Sequence, residues 1–463
     1  MLCSSRHHMN QPSAEQARKN VFILALDDFH LDQYMRISDA ERFAFHPLLS
    51  PEELMRSTAG PTEETETPQP APTDDEAPPY PFDAVLKRAI TELEQFPGSV
   101  DGISGYWDFP ISNMVPIIAE RFGLHAPSLQ SIVTCEHKYW SRLAQREVIP
   151  SVVPEASLFD PFRDDARSQI PMDYPFWVKP VKSFSSYLGF RIRNDREFAE
   201  AMERMRNEIH IIGKPFGALL RRVDAPEEVA AAGGLAGVAE QIIGGAQCTA
   251  EGFVVDGEVT VYGILSSLRG PNRSSFHRYQ YPTLLPRRVQ QRMISASRAV
   301  IRHIGLDWSA FNIEYFYDRQ KDQIWLVEIN TRISQSHPEL FYLVDGAPNT
   351  QVPVHLAVGE HPDMPYRKGR YPVAAKFMPR SYEDAIVTRV PTEEDIARVE
   401  TEFPGTRIWV EVEEGVQLST LPRQDSYSYE LAAIYLGAPH PSQLPARYAR
   451  VLELLNFQLQ PLM

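Results

Sequence analysis

The sequence predicts a chain of mixed class, α/β at its amino end and α+β beyond it, on three observations. An apolar run, Val21 to Leu26, ends in Asp27-Asp28, as a buried parallel strand does on entering a loop. Segments of helical and strand period alternate after it. Two further apolar runs, Phe311 to Tyr317 and Ile324 to Asn330, flank the polar turn Asp318 to Asp322 and read as a β-hairpin with carboxylates inside its strands.

At 463 residues, 43% of them hydrophobic, the chain exceeds one compact core and suggests about three domains. The formal charge of -15 supplies no basic field for a polyanion, so no nucleic-acid partner is expected. Cys3, Cys135 and Cys248 are far apart and form no C-x-x-C pair, which favours a reducing compartment. The polar tail, residues 1–20, lacks an apolar h-region, and Val21 to Leu26 is too short to span a bilayer. These features set the expectation of a soluble, cytoplasmic protein with no membrane partner.

In order, residues 21–133 read as an α/β domain interrupted at 57–81 by an acidic, proline-rich stretch that cannot build a core and is expected to be disordered. Helices are expected near Phe82 to Phe96 and Ile111 to Phe122, the latter closed by Gly123, with a strand at Val100 to Ile103 between them. No G-x-G-x-x-G follows the first strand, so a dinucleotide site has no support. Residues 134–365 then offer a helix from Cys135 to Val148, a strand at Phe176 to Lys179, a serine-containing turn from Ser183 to Gly189, and a helix from Asp195 to Glu208. The run Val238 to Ile243 reads as an apolar strand edge, and Glu251 to Leu265 as a hairpin turning at Asp256-Gly257. Helical spacing from Arg287 to Ile304 stops at Gly305, just before the acidic hairpin. Residues 366–463 mix strand-like runs with a final helix, Gln443 to Leu455, and read as an α+β module.

Pairing the acidic hairpin about Lys321 sets Glu314 opposite Glu328, and the strand period puts Glu328, Asn330 and Arg332 on one face. Like charges facing across a ladder repel. A hard divalent cation relieves this by taking oxygens from both acids and the Asn amide. The plainer alternative is a ribbon whose polar face meets water. Lys138 near a helix start and Lys179 at a strand end supply two point charges for phosphates. The turn with Ser183, Ser185 and Ser186 supplies N–H and hydroxyl donors as a nest. Glu240, Gln241 and Ile243 supply a strand whose backbone reads adenine, with Glu240 accepting from the amino group. Arg269, Arg273, His277 and Arg278 lie in a Gly/Pro-bounded loop, Leu265 to Pro286, that offers a carboxylate clamp.

The stretches CEHKYWSRLAQREVIP, FWVKPVKSFSSYLGFRI, EQIIGGAQCTAEGFVVDGEV, FNIEYF and WLVEINTR, taken together, resemble the ATP-grasp superfamily, in particular its carboxylate–amine ligases, the L-amino-acid ligases among them. The resemblance covers most of the chain. It implies an amino-terminal parallel α/β domain, a central two-part ATP-grasp module and a carboxy-terminal α+β lid, the last similar to biotin-carboxylase-related tails. It implies ATP and two magnesium ions, or manganese in their place, with Glu314, Glu328 and Asn330 as metal ligands. Lys138, Lys179, Glu240 and Ile243 then inherit nucleotide contacts, and Arg332 contact with substrate or the transferring phosphate. At Gln247 the family usually carries a glutamate for the ribose; the amide keeps one acceptor.

The expected chemistry is an ADP-forming ligase that joins a small carboxylate to an amine through an acyl phosphate. Arg332 and Lys179 serve the transfer, Glu251 faces the amine or acts as base, and His337 and Glu339 line the acceptor pocket or cap the following helix. Two rivals stay open: bicarbonate or thiol activation on the same scaffold, and a nucleotide-binding regulator without catalysis. The subunit count is also open, a homodimer included.

Overall fold

The computed structural model describes residues 18–56, 79–183, 187–272, 274–421 and 428–462. The expected tail and insertion lie mostly outside these residues, as do Ser185, Ser186 and Arg273. The near ends of both segments are ordered. The first strand already starts at Lys19, and Tyr80, at the end of the expected insertion, is buried, donates its N–H to Ile211 O at 3.1 Å and packs its ring against Phe109.

That first strand, Lys19–Leu24, is the middle of a three-stranded parallel sheet, with Phe43–Leu48 on one side and Gly102–Ser104 on the other. Phe43–Leu48 carries His46 and Pro47 and shows no clean alternation, as an edge strand tolerates, which is why its sequence gave no strand signal. Helices Phe82–Gln95 and Ile111–Phe122 pack Val85, Leu86, Met114 and Ile118 with Leu24 and Ile103 into one core. Gly123 ends the second in the left-handed region, φ 66°, as a residue without Cβ does at little cost.

A four-stranded antiparallel sheet follows, in the order Ala156–Phe159, Gly237–Gln241, Phe176–Pro180, Phe190–Ile192. Gly237–Gln241 is therefore an interior strand, not the edge expected: its residues pair with neighbours on both sides, and unpaired backbone begins only at Ile242. The remaining long strands form one eight-stranded antiparallel sheet that starts with the acidic hairpin, Gln323–Asn330 and Ser309–Asp318, and continues through Ala246–Val255 and Glu258–Arg269. It then takes up Phe276–Tyr281, Val373–Phe377, Ala432–Ala438 and Arg407–Val410, so the carboxy-terminal strands extend the central sheet. Helix Arg287–Ile304 lays Val289, Met293, Val300 and Ile301 over Val254, Ile313 and Leu326 of this sheet.

Two expectations need correction here. The segment Leu265 to Pro286 is not a loop: Phe276–Tyr281 pairs with strands on both sides, and Arg269 and Arg278 lie over the rings of Phe276 and Phe377 at 4.2 and 5.8 Å. The helix expected from Cys135 to Val148 is two helices, Leu129–Glu136 and Lys138–Val148, broken at His137. His137 takes extended backbone, its ring accepts from Trp140 N at 3.1 Å as an N-cap, and Lys138 N donates to Val181 O at 2.8 Å. No helix among the described residues is long and apolar enough to cross a membrane.

Candidate functional site

The register of the acidic hairpin sets Asn312 against Asn330, Ile313 against Ile329 and Glu314 against Glu328. Beyond this point it shifts, Tyr315 meeting Leu326, which leaves Val327 as the extra residue of a β-bulge. The bulge changes which side chains face inward. Ile324 and Leu326 are buried on the core side, whereas after Val327 the buried position is Ile329. Were Val327 paired in regular alternation, Glu328 would continue the inward series of Ile324 and Leu326; with Val327 bulged, Glu328 and Asn330 share the outer face with Glu314.

Arg142, four residues along the helix from Lys138, fastens the bulge. Its guanidinium donates to Leu326 O at 2.9 Å and Val327 O at 2.7 Å, and through Nε to Glu240 Oε1 at 2.8 Å. Lys179 Nζ lies 2.6 Å from the other Glu240 oxygen. Glu240 thus has both oxygens held by cations within the protein, so side-chain acceptance from adenine gives way to a structural ion pair. Burial alone would raise its carboxyl, but Arg142 and Lys179 outweigh burial and hold it down to about 2. Burial depresses the Lys179 ammonium against the pull of Glu240.

Lys138 Nζ donates to Glu328 Oε1 at 2.6 Å and Ser183 O at 3.0 Å, which ties the metal-candidate strand to the root of the serine turn. The two facing glutamates are unequal. Burial would raise Glu328, but Lys138 and Lys179 hold it below its ordinary value; Glu314 is raised by burial and then by Glu328 itself. Glu314 Oε2 accepts from Gln247 Nε2 at 3.0 Å, and Gln247 Oε1 accepts from Arg269 Nη2 at 2.8 Å. Gln247 and Arg269 therefore orient Glu314, with one contact on each amide atom of Gln247.

The Asn330 amide is oriented by a chain of donors. Asn312 Nδ2 donates to Arg332 O at 3.0 Å, so its oxygen accepts from Asn330 Nδ2, also at 3.0 Å, and Asn330 Oδ1 remains as an oxygen ligand. Two carboxylates, one destabilised by its neighbour, and one amide oxygen fit a hard divalent cation. No group of three His, Cys, Asp or Glu side chains suited to a metal occurs among the described residues. Arg332 is held in a fork by Asp108, Nε to Oδ1 at 2.9 Å and Nη2 to Oδ2 at 2.6 Å. Burial would raise Asp108, but Arg332 outweighs it and takes the carboxyl to about 2.

The second candidate cluster is drier. Glu251 is fully buried and spends its oxygens on His337 Nδ1 at 2.6 Å, Ser334 N and Tyr262 OH at 3.3 Å, and Asn349 Nδ2 at 3.4 Å. So engaged, it positions His337. The cap reading fails for both residues after the Asn-Thr-Arg turn: His337 makes no side-chain cap bond to helix Pro338–Asp345, and Glu339 binds Arg36 at 2.5 Å. His277 Nδ1 lies 3.1 Å from Leu268 O, and Arg278 stands over Phe377 at 5.8 Å. Gln241 N donates to Glu155 O at 2.9 Å, while Ile243 is half-buried where the backbone leaves the sheet.

Sequence reasoning missed Arg142, Asp108, Asn312, and the buried pair Lys182–Glu136, 2.8 Å, whose acid also accepts from Ser112 Oγ at 2.5 Å. Arg142 carried a signal in its i, i+4 spacing from Lys138; Asp108 carried none, being 224 residues from its partner. A cleft of about 610 Å³ lies across the same helix, lined by Trp140, Leu143, Ala144 and Glu147 with His303, and shares no residue with this set.

A profile of the ATP-grasp domain family matches residues 172–337, the span that holds Lys179, Glu240, both glutamates and Arg332. This segment of the chain is similar to the ATP-grasp domain. Its backbone superposes on that of the L-amino acid ligase from Bacillus licheniformis with a TM-score of 0.64 at 16% identity, covering 96% of this chain and 99% of the other. It also superposes on the biotin carboxylase domain of the Hydrogenobacter thermophilus 2-oxoglutarate carboxylase, TM-score 0.64 at 15% identity, covering 95% and 91%. In sequence, 104 residues are 33% identical to the carbamoyl phosphate synthase large chain of Xylella fastidiosa strain 9a5c, which is 22% of this chain and 9% of that protein. The match thus spans about a tenth of that relative's length. The mixed α/β and α+β architecture is shared with both of these solved structures.

Proposed function

We propose that this ATP-grasp protein is an ADP-forming ligase that joins a small carboxylate to an amine through an acyl phosphate. The observation that carries the reading is the pairing of Glu314 with Glu328 on the outer face of the hairpin, with Lys138 on one acid and Arg332 two residues beyond Asn330. A site built only to bind would tolerate the loss of some of these residues, whereas both acids, Asn330, Arg332 and both lysines are kept. In this reading Lys138, Lys179 and Ser183 receive phosphates of ATP, and Ile243 meets adenine with its backbone. Glu314, Glu328 and Asn330 would hold magnesium, which supplies charge neutralisation at the transferring phosphoryl group.

The chain's own groups then set the order of events. Arg332 leaves its fork on Asp108 and turns to the substrate carboxylate, whose oxygen attacks the γ-phosphorus as ADP departs. The amine attacks the acyl carbon, the C–N bond forms, and the bond to phosphate breaks. Residues 134–365 carry this chemistry, with residues 21–133 and 366–463 closing over it from either side. The resemblance in fold to an L-amino acid ligase supports amino acids as the first substrates to try.

The test is a phosphate-release screen with magnesium and ATP over amino-acid pairs and small carboxylates, followed by the mass of any product. Amine-dependent release is expected, and Glu328→Gln should lose it by a factor of about 10²–10³, the scale of one electrostatic contact in a transition state. Release that depends on bicarbonate or a thiol would replace the ligase with the corresponding carboxylase or thioester reading. Binding of magnesium-ATP with no release under any condition would leave a regulatory protein.

A further inference from the structure

The amine of such a ligase enters protonated, so a base must take its proton, and Glu251 is already saturated. The parallel sheet supplies one. Its first strand is central, with the next strand in sequence on one side and the third on the other, so its topological switch point lies between the carboxyl ends of Lys19–Leu24 and Gly102–Ser104. Open parallel sheets bind ligands at that crevice. From the first strand end come Asp27 and His30, and from the third come Tyr106 and Asp108.

His30 Nδ1 lies 2.7 Å from Asp27 Oδ1. Its ring is stacked on Tyr106 at 4.1 Å and met edge-on by Phe29 at 5.1 Å, and it is 7% exposed. Its Nε2 is buried with no partner among the described residues. The loop that carries the dyad is held under strain: Ala25 sits at φ 56°, its N–H shared between Leu48 O and Leu49 O and its carbonyl taken by Tyr106 OH at 2.5 Å. Tyr106 O accepts from Gln335 Nε2 at 3.3 Å, so the ring under His30 is joined directly to the segment that follows Arg332. Tyr34 and Tyr106 also face the dyad, and burial drives both far up, so they stay neutral beside Asp27.

A carboxylate on Nδ1 fixes the tautomer with Nε2 as a lone pair, and a buried lone pair without a donor is costly unless an N–H fills it. We infer that Asp27 and His30 form the base that deprotonates the acceptor amine, making the switch-point crevice the amine subsite. This rests on the ligase reading above. In the step, His30 Nε2 takes one proton from the ammonium and becomes imidazolium against Asp27. The neutral amine then attacks the acyl phosphate, and its second proton leaves with the phosphate.

The test uses the full chain with magnesium, ATP and an equimolar mixture of the twenty amino acids as the carboxylate source. The acceptor is either the mixture itself or hydroxylamine, which is already unprotonated at neutral pH and needs no base. His30→Gln and, independently, Asp27→Asn are expected to lower peptide formation about 100-fold, the ordinary contribution of a general base. Hydroxylamine should rescue both, hydroxamate staying within about threefold of wild type. A loss of both products together marks a structural role and overturns the inference, as does unchanged peptide formation. Nitrogen-15 NMR of labelled histidine reads the dyad without any substrate: the His30 signal, assigned by its absence in His30→Gln, should report the Nδ1–H tautomer, and Nε2–H would overturn it. A wild type that makes neither product overturns the ligase reading and the base together; a wild type that makes both while the variants still make peptide overturns the base alone.

Discussion

Replacing Arg142 by Met tests how the site is held. Arg142 is 3% exposed, and its loss strands a buried carboxylate, Glu240, with Lys179 as its remaining cation, while the carbonyls of Leu326 and Val327 lose their donors. Breaking one half of a buried ion pair costs about 3–5 kcal/mol, because the acid left behind stays desolvated. Each orphaned carbonyl adds about 1–3 kcal/mol where water cannot reach it. These terms share one guanidinium and do not add, so about 4 kcal/mol is the expected loss. Against a stability of about 5–15 kcal/mol the variant still folds in the cold. Urea unfolding followed by tryptophan fluorescence measures the shift in midpoint, and Arg142→Met with Glu240→Gln completes a cycle. Removing the stranded charge should restore about 1–3 kcal/mol. A single-variant cost below about 1 kcal/mol, or a double variant no better than the sum of its parts, refutes the argument that this arginine secures both the bulge and the acid.

Other outcomes follow from the same geometry. Burial and Glu328 raise the Glu314 carboxyl, so its folded form favours the proton; that contribution is present at low pH and lost as pH rises through the raised value. Glu314→Gln should therefore stabilise the ligand-free protein at neutral pH by about 0.5–2 kcal/mol in urea unfolding, while abolishing the magnesium-dependent rise in melting temperature with ATP. Glu240 has the opposite sign: its folded value, about 2, lies below the ordinary 4.5, so its contribution is complete above about pH 5 and is lost as pH falls towards 2. The stability difference between wild type and Glu240→Gln should shrink across that window; a difference that is flat with pH would contradict the ion pair. Deleting Val327 should leave Glu328 directly after Leu326 and still on the outer face of a now regular strand, so nucleotide binding in calorimetry should persist; its loss would contradict this register.

How much of this was legible differs by the range of the interaction. Local signals served well: the helix spanning Arg287–Ile304 with Gly305 at φ 71°, and the hairpin turn at Asp256-Gly257, lie where period and turn chemistry put them. Signals broken by one residue served less well. His137 splits a continuous helical pattern because its ring caps the next turn, and nothing in the period of residues 135–148 announces it. Contacts made across the fold were invisible. Asp108 meets Arg332 from 224 positions away, and Glu251 reaches His337 across 86, so their roles depend on which sheets lie together.

The acidic hairpin shows how a correct reading can rest on an incomplete reason. Symmetry about Lys321 does pair Glu314 with Glu328, but only the first three pairs obey it, and the four pairs from Tyr315 to Asp318 follow a register one residue shorter. Had the symmetric register run the whole length, Glu328 would share its face with Ile324 and Leu326, and an acid on that face would sit in the core with Met293 and Val300. Period two alone therefore argues against the site. What makes the site is the extra residue, Val327, and what stabilises the extra residue is Arg142, whose other contact is the acid that also holds Lys179. The placement of the metal-candidate acid and of the phosphate-candidate lysine thus depends on one guanidinium. A ligand that displaces Lys179 from Glu240 leaves Arg142 as the remaining cation on that acid, so phosphate binding and the geometry of the hairpin are coupled through Arg142, which holds both the acid and the bulge.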